Sequence, residues 1–168
     1  MIEIRNIISS DVNSVDSLAT ACGLSYWNLE EYHAETQRDD SVFLGAFEDQ
    51  KILCGFIIGR IVPSADSGIK LDAEIYNVGV KQSLRKLGIG SKLLKLFFRD
   101  CQKREVRSVW LDVRKSNKVA KEFYAKHGFI AVAERKSFYR EPVEDAIVMR
   151  TMFRGRCSEI LELTRRLE

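Results

Sequence analysis

Proline and histidine are scarce in this chain, with two of each in 168 residues. Pro63 and Pro142 both fall in segments that read as loops, so no proline-rich linker or fibrous repeat divides the chain. Cysteine is present four times, as Cys22, Cys54, Cys101 and Cys157, but never in a C-x-x-C or metal-ligand spacing. That excludes a zinc ribbon and a disulfide framework, and no metal site is expected. Three of the four sit in apolar patterns and read as reduced packing residues. Neither His33 nor His127 stands as an evident partner, so a catalytic cysteine is not expected either. No run of 18 apolar residues occurs, so no membrane-spanning helix is expected. The start, Met1-Ile2-Glu3-Ile4-Arg5, lacks the apolar core of a signal peptide, and a cytoplasmic protein is expected. The charge balance is 27 basic against 24 acidic residues, a net +3. So small an excess argues for neither a nucleic-acid nor a membrane partner. At 45% hydrophobic and 30% charged residues, the chain has the composition of an ordinary globular domain.

The residues that are there alternate in a readable way. Ile2 and Ile4 interleave with polar residues, as in an edge strand. Asp11 stands where it can cap a helix carrying Val12, Val15 and Leu18. Asn28-Leu29-Glu30-Glu31 resembles a capping box opening a second helix. Apolar runs at 43–47 and 52–58, joined by a turn at 48–51, predict a hairpin. A loop at 63–70 leads into a strand over 73–80. The spacing of Ile89, Leu93, Leu96, Phe97 and Cys101 predicts a helix over about 88–104. A strand at 108–114 puts Val109, Leu111 and Val113 on one face and Trp110, Asp112 and Arg114 on the other. A helix over 118–127 ends at Gly128, two closing strands lie near 130–139 and 146–152, and Ile160, Leu163 and Leu167 mark an amphipathic tail. The order β-α-α-β-β-β-α-β-α-β-β predicts an α/β fold with a mixed, mostly antiparallel sheet. One domain over 1–153 and a helical tail at 154–168 are expected.

One segment carries the chemistry. Arg85-Lys86-Leu87-Gly88-Ile89-Gly90-Ser91 lies between the strand 73–80 and a helix N-terminus. Backbone N–H groups and the positive end of a helix dipole make such a junction an anion site. The glycines let the main chain approach phosphate oxygens. The Lys-Ser/Thr of a P-loop is absent, and so are the third glycine and downstream acid of a dinucleotide fingerprint. Arg-x-x-Gly-x-Gly instead resembles the acyl-coenzyme A loop of the Gcn5-related N-acetyltransferase (GNAT) superfamily. Downstream, Val113-Arg114-Lys115-Ser116-Asn117, then Phe123-Tyr124, then Gly128-Phe129 resemble the second half of that superfamily in order and spacing. Phe138-Tyr139 and the segment from Glu144 to Met149 narrow the resemblance to the bacterial enzymes that acetylate the N-terminal alanine of a small-subunit ribosomal protein. The resemblance spans about residues 2–152.

The resemblance implies a GNAT fold in which the strands ending at Val80 and Arg114 splay apart and admit the pantetheine arm. Val78, Gly79 and Val80 would bond the pantetheine amides through their backbone, with Gly79 keeping the surface open. Arg85, Lys86, Leu87, Gly88, Ile89, Gly90 and Ser91 would hold the pyrophosphate. Asn117 matches a coenzyme-contacting asparagine and also reads as a helix N-cap. Tyr124 follows it by seven residues, about two helical turns, so both can share one side of the helix. Tyr124 would protonate the leaving thiolate; as a core aromatic, its neighbour Phe123 fits better. Asp112 occupies the place of the family's proton-accepting glutamate but is one methylene shorter. It would act through a bridging water or only position the substrate. Glu74, on the neighbouring strand, is the rival base, and the sequence leaves the two open. Acceptor choice would rest on Tyr26, Trp27, the 63–70 loop, and Tyr139 and Asp145 in a 139–145 loop that looks shorter than in the ribosomal-protein enzymes. Trp27 reads equally as a core anchor. The function implied is direct transfer of acetyl from acetyl-CoA to a protein N-terminus in a ternary complex, by a monomer or weak dimer. The alternatives are acetylation of a small-molecule amine or a lysine, or a coenzyme A-binding sensor without catalysis. The Asp112 departure favours the sensor and Tyr124 argues against it.

Overall fold

Residues 1–24, 27–66 and 70–153 are described in the computed structural model. Contacts group them into two units, one made of Met1–Val62 with Glu74–Arg104, the other of Pro63–Ala73 with the described residues from Glu105 on. The tail over 154–168, Cys157 and Tyr26 lie outside the described residues.

In the first unit, β1 (Ile2–Asn6), β2 (Ser41–Glu48) and β3 (Ile52–Pro63) form an antiparallel series, with β4 (Leu71–Val80) next to β3. β1 is the edge strand that its alternation predicts. The hairpin between β2 and β3 turns through Asp49 and Gln50, both at positive φ (48° and 65°), the backbone that suits the twist of a tight hairpin. Two helices, α1 (Val12–Ala21) and α2 (Leu29–Glu35), bring Val12, Val15, Leu18 and Tyr32 onto Phe43, Phe47 and Phe56 to make the core. Asn28 opens α2 through the expected reciprocal cap with Glu31. Asp11 is the N-cap residue of α1, but its side chain does not bond the helix N–H groups. Its carboxylate accepts the Ile8 N–H at 3.0 Å and binds Arg5 through both oxygens, closing a 3-10 turn ahead of the helix. The Arg5 hydrogen bond holds that carboxyl below its usual range. Helix α3 (Ile89–Lys103) buries Ile89, Leu93, Leu94, Phe97 and Cys101, while Leu96 is only half-buried. The helix lies close on β3 because glycine stands opposite it: a Cβ at Gly59 would sit 2.8 Å from Phe97 Cζ.

In the second unit, β5 (Val106–Arg114), β7 (Val143–Met152) and β6 (Ile130–Arg140) run antiparallel in that order, and α4 (Lys118–Lys126) joins β5 to β6. Val109, Leu111 and Val113 are buried and Trp110, Asp112 and Arg114 half-buried, as period two requires. Gly128, at φ 87°, ends α4. The closing strands differ from expectation. β7 starts at Val143, three residues early, and only Glu141 and Pro142, joined by a cis peptide, separate it from β6. Tyr139 and Asp145 are therefore strand residues, not members of a loop: Tyr139 pairs with Glu144 across the hairpin. A polar network ties Ser64, Asp66 and Asp72 to the start of β5. Ser108 donates to the buried Asp72 at 2.6 Å, and Arg107 binds Ser64 and Asp66.

Candidate active site

The loop after β4 has the backbone of an anion cradle. Lys86 (φ 64°) and Gly88 (φ 82°) are both left-handed, and Gly88 is the N-cap of α3. Alternation of this kind turns successive N–H groups toward one point. The first helical residues, Ile89, Gly90 and Ser91, add N–H groups that have no carbonyl four residues back within the helix. A Cβ at Gly88 would meet nothing within 4 Å, so glycine is needed there for its φ and not for room. Arg85 plays a different part from Lys86. Its Nε donates to the Val80 carbonyl at 3.0 Å and its Nη2 lies 3.7 Å from Cys22 Sγ, which ties the loop to the end of β4. Gly79 is buried rather than open, correcting the expectation. A Cβ there would stand 2.8 Å from Phe56 Cε1 and 3.3 Å from Leu24 Cδ1, so its missing side chain makes room for a core ring. Val78 and Val80, on either side, are half-buried.

The same strand carries a second constellation. Glu74 and Tyr76 are two residues apart and share a face of β4; Glu74 is exposed, and the Tyr76 hydroxyl donates to its Oε2 at 3.1 Å. The Tyr76 ring packs on Trp27, with centroids 5.6 Å apart, and the Arg60 guanidinium stands 5.5 Å from its centre. Arg60 is held by the buried Glu35, which takes hydrogen bonds from both Nε and Nη2. Burial, with Glu74 adding to it, pushes the Tyr76 phenol up to about 12. Trp27 also packs on Tyr32 of α2 at 5.5 Å, so the core-anchor reading of Trp27 describes its contacts. Sequence reasoning missed Tyr76, Arg60 and Glu35. The spacing Glu-x-Tyr on one strand was a legible signal for the first; no local pattern marks the other two.

In the second unit, Asn117 caps α4, its Oδ1 accepting the Ala120 N–H at 3.0 Å. Tyr124, seven residues on, is buried, with ring contacts to Phe123 at 5.3 Å and Phe129 at 5.4 Å. Phe123 is only half-buried, so the expectation that Phe123 is the better core residue is reversed. Burial, with a smaller contribution from Tyr139, pushes the Tyr124 phenol well above the ordinary tyrosine value. It keeps its proton throughout the physiological range. Asp112 accepts from Arg135 Nη1 at 3.1 Å. Tyr139 lies under the Arg114 guanidinium, 4.2 Å from ring centre. Asp145 accepts the Ser137 N–H at 2.9 Å and pairs with Lys136 and Lys115; the Ser137 hydrogen bond first, and then that from Lys136, hold its carboxyl far below the carboxylate range. Glu134 shares both lysines, so Asp145 belongs to a cluster of two carboxylates and two ammonium groups, where the sequence suggested a carboxylate open to an incoming ammonium. Glu144 accepts the Ser116 N–H and Arg114. A shallow depression of about 480 Å³ is lined by Lys115, Ser116, Val143, Glu144 and Asp145.

Residues 12–129 match the Acetyltransferase (GNAT) family. This chain belongs to that family. The [ribosomal protein bS18]-alanine N-acetyltransferase of Salmonella typhimurium is 28% identical over 142 residues, covering 82% of this chain and 96% of its own. Two solved structures share the fold. The ribosomal-protein-S18-alanine N-acetyltransferase of Escherichia coli superposes with a TM-score of 0.78 at 23% identity, covering 92% of this chain and 97% of its own. Arabidopsis thaliana NAA60, in complex with a bisubstrate analogue, gives 0.83 at 21% identity, covering 92% and 99%. In this GNAT chain the strand–loop–helix junction at 74–91 lies inside the matched region, as do Asp112, Asn117 and Tyr124.

Proposed function

We propose that this protein transfers the acetyl group of acetyl-CoA to the α-amine of a protein N-terminus, with alanine of a small-subunit ribosomal protein as the preferred acceptor, in the cytoplasm. The observation that carries acetyl transfer is the pair of left-handed residues, Lys86 and Gly88, leading into the N-terminus of α3. The Salmonella relative's acceptor supports the choice of substrate.

Acetyl-CoA brings an activated thioester. The N–H groups around Gly88 and Ile89 and the Lys86 ammonium hold its pyrophosphate; Arg85 shapes the loop from behind. The main chain of Val78, Gly79 and Val80 takes the pantetheine amides as an added half-strand would. Glu74 accepts the proton of the acceptor ammonium, through water where the reach requires it. What favours Glu74 over Asp112 is its setting. Glu74 is exposed and bonded by a neutral phenol, whereas Asp112 is bonded by a guanidinium. Tyr124 gives its proton to the departing thiolate and takes in return the second proton that the nitrogen sheds as the carbon–sulfur bond breaks, and Asn117 fixes the start of the helix that carries it. Trp27 offers an aromatic wall to the acceptor's first residues, and Asp145 fixes the β6–β7 hairpin.

The test is free-thiol release from acetyl-CoA with a panel of amines: peptides beginning with Ala, Ser and Met, a lysine peptide with a blocked N-terminus, and polyamines. Release confined to unblocked peptides, fastest with alanine, is expected. Release with the lysine peptide or polyamines alone refutes the N-terminal reading. Binding of acetyl-CoA without release from any acceptor favours the sensor.

A further inference from the structure

Glu74 stands on an exposed strand face, where a glutamate side chain ordinarily samples several rotamers. Here one oxygen is taken. Tyr76 Oη donates its single proton to Glu74 Oε2, which leaves Oε1 for an amine or a bridging water. Tyr76 itself has little freedom. Its ring packs at a tilt against Trp27 on one side and meets the Arg60 guanidinium on another. Arg60 cannot swing away, because its Nε lies 3.0 and 3.1 Å from the two oxygens of Glu35 and its Nη2 also bonds Oε1. Glu35 is 2% exposed and its other cation, Arg38 Nε, lies 3.9 Å away, so releasing Arg60 would leave a buried carboxylate poorly compensated. The chain of contacts therefore runs from a buried anion, through a fixed guanidinium and a wedged phenol, to an exposed carboxylate.

We propose that Tyr76 is a positioning residue for Glu74, fixed in place by Trp27 and by the Glu35–Arg60 pair. This rests on Glu74 being the base. Tyr76 does not touch the reacting atoms. It selects the rotamer of the group that does, and a misplaced base loses rate without losing substrate.

The test is steady-state kinetics of the full chain with acetyl-CoA and an N-terminal alanine peptide, on Glu74→Gln, Tyr76→Phe and the double variant. Phenylalanine keeps the ring and its packing on Trp27, and a melting curve for each variant verifies the fold. Glu74→Gln is expected to lower kcat about 100-fold. Tyr76→Phe should lower kcat about tenfold with both KM values unchanged. The double variant should be no slower than Glu74→Gln alone, because Tyr76 acts only through that carboxylate. A double variant slower by the product of the two losses overturns the proposal, as does wild-type kcat in Tyr76→Phe; in both cases the Glu74 reading survives. Wild-type kcat in Glu74→Gln removes the base assignment first, and the positioning role with it.

Discussion

Gly79→Ala is the sharpest perturbation of the first unit. The added Cβ would stand 2.8 Å from Phe56 Cε1 and 3.3 Å from Leu24 Cδ1. Phe56 cannot give way cheaply. It is fully buried, edge-on to Tyr32 and Phe43 with centroids 6.4 Å away in each case. Forcing one methyl into such a core costs about 1–3 kcal/mol. For a chain of this length each kcal/mol lowers Tm by about 2–4 °C, so a fall of about 2–12 °C is expected in a thermal melt. The relief of strain falls partly on β4, and the peptide groups that shift are those assigned to pantetheine. Acetyl-CoA affinity, measured by titration calorimetry, should therefore fall as well. Phe56→Leu shortens the obstructing ring, so the double variant should be more stable than the sum of the two single losses predicts. A Gly79→Ala protein melting within about 1 °C of the wild type would refute the packing argument. So would a double variant that is merely additive.

Tyr124→Phe should lower kcat about 100-fold while acetyl-CoA binding is kept, and unchanged turnover would sink its role as acid. Gly88→Ala places an L-residue at φ 82°, which costs about 1–2 kcal/mol, and its methyl points into the open space of the loop. Its acetyl-CoA Kd should rise; an unchanged Kd would move the pyrophosphate elsewhere. Alkaline pH should destabilise the fold through Tyr32, whose burial raises its phenol from 10 to about 12. Below pH 10 both states are protonated and the contribution is whole. Between pH 10 and 12 the unfolded chain ionises first, and about 2–3 kcal/mol is lost. Urea melts at pH 9 and 11 should capture about half of that loss, about 1 kcal/mol, which Tyr32→Phe should reduce.

Much of this fold is legible in the sequence. The apolar spacing of α3, the alternation of β5, the box at Asn28 and the glycine ending α4 are local signals, and each element formed where its pattern lay. Arg85-x-x-Gly88-x-Gly90 pointed to an anion loop because backbone conformation and helix dipole are also local properties. The misreadings share a cause in packing between distant segments. Asp11 prefers Arg5, from a strand, to its own helix. Gly79 makes room for Phe56, 23 positions earlier, rather than for a ligand. Tyr124 turned inward because Phe129 lies against it, while Phe123 rests on His127 at 4.5 Å. Pro142 makes the 139–145 segment read as a loop, yet the tight turn needs only two residues. Glu35–Arg60 and Asp112–Arg135 span 25 and 23 positions, and no window of sequence displays such pairs.

Asp112 shows how such a pair bears on the chemistry. It lies on β5 opposite Val148 of β7, while Arg135 lies on β6 opposite Ala146 of the same strand. The ion pair thus reaches across the central strand and staples β5 to β6. Arg135 is about half exposed, which limits the pair to about 0.5–1 kcal/mol of stability. Asp112→Asn keeps an acceptor for the guanidinium and removes the charge, so Tm should fall by no more than about 4 °C. If Glu74 is the base, turnover should fall far less than in Glu74→Gln. Asp112→Glu restores the residue that the resembled enzymes carry at this place and lengthens the side chain by one methylene. With Glu74 as base, that change leaves kcat within about twofold. With Asp112 as base, the longer side chain closes the gap a water had bridged, and kcat rises. A rise in Asp112→Glu together with loss of turnover in Asp112→Asn at unchanged Tm would transfer the base to β5. It would leave Tyr76 orienting a carboxylate that takes no part in the reaction.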